Sequence, residues 1–330
     1  MALAAAGLAT VAVAAIVVVV VAVRDEGGPG AGTAGTTPTT PTAPTAPEAP
    51  PLPAWGDFPG APPELEPPFG GSASVETVPG GEELTVRRAD GSVLAVARVD
   101  EASDAYTDAR YFDRRGRLRV VISAVRDLPA GASGGGSQGA RVRCGSAARA
   151  NAGYRWTGFP IAWRLNRRPL PVGIGRAAAL DAIRRARGVW NANRSHCRAL
   201  RDLSQARFAY RGDTTRRTGR DGRSVVEFGE TDRLGGVCRG TIACTITWVV
   251  GTRATESDIR VDRLHRGGFF TGNRRRGLDL QSVVVHESGH TLGFDHVLSR
   301  DVVMFPFIAP RTVGGRLLGR GDAIASNAKY

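Results

Sequence analysis

Three observations predict an α/β (α+β) fold. Strand and helix periodicities alternate from Arg141 to the C-terminus, short strands with turn residues between them fill residues 72–128, and one apolar helix carries two histidines four residues apart. The chain has 330 residues, 42% of them hydrophobic, enough for one sizeable core and a second small one.

Residues 1–23 carry no charged side chain and run through Val17–Val21, an apolar stretch long enough to span a bilayer. They have neither a basic n-region nor a small-x-small cleavage site, so a single-pass transmembrane anchor is preferred to a cleaved signal. The folded part is then expected at the cell membrane, facing outward, with secretion as the alternative. Residues 24–71 are rich in Pro, Thr and Gly and bury too little to fold, which predicts a disordered stalk.

Residues 72–128 read as a small β unit of unknown role. Leu84–Arg88 and Val93–Val99 flank Ala89-Asp90-Gly91, and Leu118–Val125 follows a turn at Arg115-Gly116. Residues 129–140, with three consecutive glycines, form a linker. The domain at 141–330 is expected to hold strands at Ile161–Leu165, Ala206–Tyr210, Val225–Phe228, Thr241–Val250 and Asp258–Val261. Helices are expected at Arg176–Asn191, around the paired histidines and at Gly321–Asn327.

The formal charge is +13, and Lys329 is the only lysine. The arginines are scattered and no nucleic-acid motif is present, so no nucleic-acid partner is expected; a basic surface suits anionic cell-surface polymers. Four cysteines, an even number, suit an oxidising exterior. Proximity favours Cys238 with Cys244, leaving Cys144 with Cys197, among three possible connectivities.

Residues 286–296 read His-Glu-Ser-Gly-His-Thr-Leu-Gly-Phe-Asp-His, and Met304 follows eight residues later. On a helix, residues four apart lie about 40° apart around the axis and about 6 Å along it, so His286 and His290 can face one ion. Asp279 is placed to cap that helix, and Leu280, Val283, Val284 and Leu292 give it a buried flank. Gly293 allows a positive φ, which lets the chain turn and return His296 as third ligand. Three nitrogens leave the fourth position of a tetrahedral Zn2+ open, as catalysis requires. Glu287, about 100° round the helix from His286, is off the ligand face and within reach of a water as general base.

His286, Glu287, His290, Gly293 and His296 match H-E-x-x-H-x-x-G-x-x-H, with Met304 as the Met-turn, and so resemble the metzincin zinc proteases. Residues 154–330 resemble the matrixin family and its bacterial relatives, most strongly over Leu278–Pro306, including Met304-Phe305-Pro306. The resemblance implies a twisted five-stranded mixed sheet, three helices and a substrate cleft. Two features depart from the family. Val297 stands where matrixins place Ser, and Arg143-Cys144-Gly145 keeps only the centre of the pro-domain switch. Cys144 is read as disulfide-bonded, with a latency switch as the alternative.

The expected function is therefore a zinc endopeptidase acting on proteins or peptides. A catalytically silent surface adhesion protein that keeps the fold is the alternative, disfavoured by Glu287. Substrate is expected to add as an antiparallel strand to the edge strand within Thr241–Val250, and Phe305-Pro306-Phe307 to wall an apolar pocket. Ca2+ is a further candidate cofactor. Asp258, Asp262 and Asp279 are available but show no calcium loop pattern. His196 and His265 carry no assignment.

Overall fold

The computed structural model describes residues 72–79, 81–100, 105–128, 144–197, 200–234, 236–273 and 276–330. The predicted anchor, stalk and linker lie outside these residues. Among the described residues there are thirteen strands and three α-helices. The first five strands are β1 (Ser72–Val78), β2 (Gly81–Arg87), β3 (Val93–Asp100), β4 (Ala105–Phe112) and β5 (Leu118–Asp127). Then come β6 (Ile161–Asn166), helix α1 (Arg176–Asn191), β7 (Phe208–Asp213), β8 (Ser224–Gly229), β9 (Ala243–Val250) and β10 (Arg253–Asp262). The short strands β11 (Phe269–Phe270) and β12 (Leu278–Asp279) lead into α2 (Leu280–Thr291), followed by β13 (Phe307–Ile308) and α3 (Arg320–Lys329).

Sheet order is β1-β2-β3-β4-β5-β9-β10-β8-β6-β7. Its second half is the expected five-stranded framework: β10, β8, β6 and β7 run parallel, and β9 is antiparallel to β10. The sheet does not stop at β9. Strand β5 pairs antiparallel with it from Val120↔Trp248 to Val125↔Ala243, so β9 is internal rather than the free edge expected from the sequence. The physical reason is apolar burial. One face of β2–β5 carries Leu84, Leu94 and Ile122, which share a core with Val237, Ile246 and Trp248 and would otherwise face water. The described residues fall in one compact unit.

Helices α1 and α2 cover the other end of the sheet. Ile183 and Trp190 of α1 and Val283 and Val284 of α2 lie in one core with Trp163, Leu165, Val226 and Phe228. The Trp190 indole donates to the Val285 carbonyl at 2.8 Å, pinning the two helices at one height. Burying each large apolar side chain contributes roughly 1.5–3 kcal/mol, so this core sets where the paired histidines point. Disulfides join Cys144 to Cys197 and Cys238 to Cys244.

Candidate metal centre

Helix α2 begins where Asp279 accepts hydrogen bonds from the Ser282 amide (3.0 Å) and hydroxyl (2.6 Å) and forms an ion pair with Arg316. Its buried flank and these caps orient the helix before any metal is considered. It ends at Gly293, whose φ of +80° lies in the left-handed region. A Cβ there would come within 2.5 Å of the Tyr154 carbonyl, so both conformation and space demand glycine. Gly289 answers a different need: a Cβ would lie 2.3 Å from Met304 Sδ, so its absence makes room for the methionine under the helix. Met304 is 2% exposed, and its carbonyl accepts from the Val297 amide at 3.0 Å, tying the turn to the stretch just after His296. Buried Asp322 of α3 accepts from the Val303 and Gly319 amides at 2.8 Å each and so anchors the turn from beneath.

The three histidines converge. Nε2 of His286 lies 3.0 Å from Nε2 of His290 and 3.1 Å from Nε2 of His296, and the remaining separation is 3.0 Å. Nitrogens bound tetrahedrally to zinc at 2.0–2.1 Å stand about 3.3 Å apart, close to this triangle. Each Nδ1 is already engaged: His286 with the Val303 carbonyl (2.7 Å), His290 with the Phe294 carbonyl (2.9 Å) and His296 with Asp108 Oδ2 (2.8 Å). With Nδ1 carrying the proton, each ring turns its Nε2 lone pair inward, as metal ligation requires. Burial lowers the pKa of His290 to about 3 and that of His286 well below its ordinary value, which keeps both rings neutral. Burial acts the same way on His296, but the charge and hydrogen bond of Asp108 outweigh it.

The residues present therefore fit a Zn2+ ion. Asp108 was not legible in the sequence. It comes from β4, 188 positions before His296, and completes a carboxylate–histidine pair of the kind that orients metal ligands.

Glu287 is fully buried beside the triad. One carboxylate oxygen accepts from the Thr245 hydroxyl of β9, and the other, Oε1, has no hydrogen-bond partner. Burial raises its pKa to about 8, with Thr245 and the nearby Val125 amide acting in the opposite direction. A buried carboxyl with one unengaged oxygen is placed to exchange a proton near neutral pH.

Phe305, Pro306 and Phe307 follow Met304 directly. Phe307 is buried, packs edge-on against Phe305, and enters β13. The calcium candidates do not come together: among the described residues no metal-holding group contains them. Asp258 accepts from the Gly219 and Val225 amides, Asp262 accepts from the Leu264 amide, and Asp279 caps α2. His196 contacts the Gly314 carbonyl and His265 pairs with Asp127, both outside the triad.

Residues 227–325 match the family model described as matrixin, a span from β8 through α2 and the Met-turn into α3. No curated protein matches the chain at a significant level. The matched span holds all three histidines, Glu287 and Met304, and the part of this chain that carries the metal centre is a matrixin-like metzincin.

Proposed function

We propose that this protein is a zinc-dependent endopeptidase. The observation that carries the reading is the convergence of three Nε2 atoms beside a buried Glu287 whose Oε1 is unengaged. Zinc held by His286, His290 and His296 supplies Lewis acidity, polarising a peptide carbonyl and making water a competent nucleophile near neutral pH. Glu287 takes a proton from the attacking water and delivers it to the departing amine, while the Thr245 hydroxyl holds the other oxygen and keeps the base oriented. Phe305-Pro306-Phe307 favours an apolar side chain after the scissile bond. A surface binding protein that merely kept the fold would need no buried carboxylate next to its ligands. The apolar segment at 1–23 and the disulfides support an anchored domain facing the cell exterior, with secretion as the alternative.

The test is cleavage of a mixed peptide library by the purified chain before chelation, after chelation and after zinc is restored. Internal cuts that vanish on chelation and return with zinc support the reading. No metal-dependent cut anywhere in the library, from the folded, zinc-loaded chain with its cleft open, contradicts it.

A further inference from the structure

Strand β5 lies between two partners that together make a groove. On one side it pairs antiparallel with β9, from Val120↔Trp248 to Val125↔Ala243. On the other, its end pairs parallel with β13, Arg126↔Phe307 and Asp127↔Ile308, next to the Met-turn. The Arg126 amide donates to the Pro306 carbonyl at 3.1 Å and the Leu128 amide to the Ile308 carbonyl at 3.2 Å, while the Val125 carbonyl accepts from the Ile242 amide at 2.9 Å. The same strand passes the reacting groups. The Val125 amide lies near enough to the Glu287 carboxylate to act on its pKa without engaging Oε1, and the neighbouring strand β4 places Asp108 on His296. The three histidines are at most 8% exposed and Glu287 is 0% exposed.

A peptide to be cut has to bring a carbonyl to the three Nε2 atoms and to Glu287, running as a strand along β9. The backbone already in that place belongs to this chain. We propose that β5 is a built-in plug: residues 120–128 occupy the groove that a substrate strand would fill, and the enzyme described here is its closed form. This rests on the endopeptidase reading for what the groove receives. The plug resists being cut because Glu287 is fully buried beside it, leaving no room for the water that hydrolysis needs between base and carbonyl. It is held by the apolar face it shares with Ile246 and Trp248, so opening requires β5 and its sheet neighbours to part from β9.

Two variants of the full chain test this after zinc loading, each checked for folding by its thermal transition. Val125→Pro removes the N–H near Glu287 and leaves the Val125 carbonyl able to accept from Ile242. The pair Asp127→Cys with Ile308→Cys pins β5 to β13 when oxidised and releases it under mild reduction, with wild type treated alike. The readouts are cleavage of an internally quenched peptide and binding of a fluorescent peptide hydroxamate. Val125→Pro is expected to raise both by at least tenfold over wild type. The oxidised pair is expected to fall at least tenfold below its own reduced form. If Val125→Pro does not fold, the pinned pair decides alone. Equal hydroxamate binding by the oxidised and reduced pair would overturn the plug, whatever the cleavage rate. Hydroxamate binding that follows the plug, with no peptide cut in any form, would support the plug and overturn the endopeptidase reading.

Discussion

Removing Asp108 should weaken zinc binding without touching a ligand. Its Oδ2 accepts from His296 Nδ1 at 2.8 Å, and both side chains are buried, Asp108 at 6% and His296 at 8% exposure. Asp108→Asn keeps an acceptor for Nδ1–H and loses the charge that makes the imidazole a better donor to the ion. Asp108→Ala also strands a buried N–H, a loss of about 1–3 kcal/mol. Carboxylates in this position typically contribute 10–100-fold in metal affinity, or about 1.4–2.7 kcal/mol. We expect Asp108→Asn to weaken zinc about tenfold and Asp108→Ala nearer a hundredfold, measured by competition with a chelator on the folded full chain. Asp295→Asn is the comparison: Asp295 pairs with Arg110 close to the same histidine but makes no bond to the His296 ring. Zinc affinity within twofold of wild type in both Asp108 variants would refute the reasoning.

Other outcomes follow from the same geometry. Gly293→Ala should destabilise the chain by about 1–3 kcal/mol, seen as a lowered melting temperature, because φ is +80° and the Cβ meets the Tyr154 carbonyl. Gly289→Ala should cost a similar amount, about 1–3 kcal/mol, and weaken zinc binding as well, since the added methyl displaces Met304. The Glu287 pKa predicts a pH signature in the metal-free chain. Its folded pKa, about 8, lies above its ordinary 4.5, so the fold favours the protonated form and the group costs stability progressively as pH rises from 4.5 through 8. Glu287→Gln should then be the more stable metal-free chain above pH 8, by up to about 5 kcal/mol, with the gap closing below pH 4.5. Melting curves across that range check it, and a gap independent of pH would count against it. Mass spectrometry of an unreduced digest should find Cys144 linked to Cys197 and Cys238 to Cys244.

What could be read from the sequence was mostly local. The Asp279 cap, the apolar flank of α2 and the turn at Gly293 are each specified within one or two helical turns, and α1 occupies the residues its periodicity marks. Strands β2, β3 and β5 announce themselves through alternation and turn residues. Strands β1 and β4 do not. Ser72–Val78 is polar, and in Ala105–Phe112 the core-facing Ala109 and Tyr111 are small or amphipathic and alternate with Asp108 and Arg110, a weak signal beside the Val- and Leu-rich strands. Asp108 falls on the polar side of that alternation, so nothing local sets it apart; its partner is 188 residues away. The pairing of β5 with β9 depends on burying a shared apolar face, a tertiary effect with no local signature. The motif thus located the metal centre, while the strand filling its groove became visible only in three dimensions.

Glu287 is proposed as the base of a peptidase whose zinc is held by His286, His290 and His296. The most direct measurement compares wild type with Glu287→Gln, each also carrying Val125→Pro or otherwise opened, on one sample for both zinc content and peptide cleavage. About one zinc per chain is expected in both, with cleavage reduced by about 10²–10⁴-fold in Glu287→Gln, the usual contribution of such a base. Retention of more than about a tenth of the activity by a zinc-loaded Glu287→Gln chain would contradict that role.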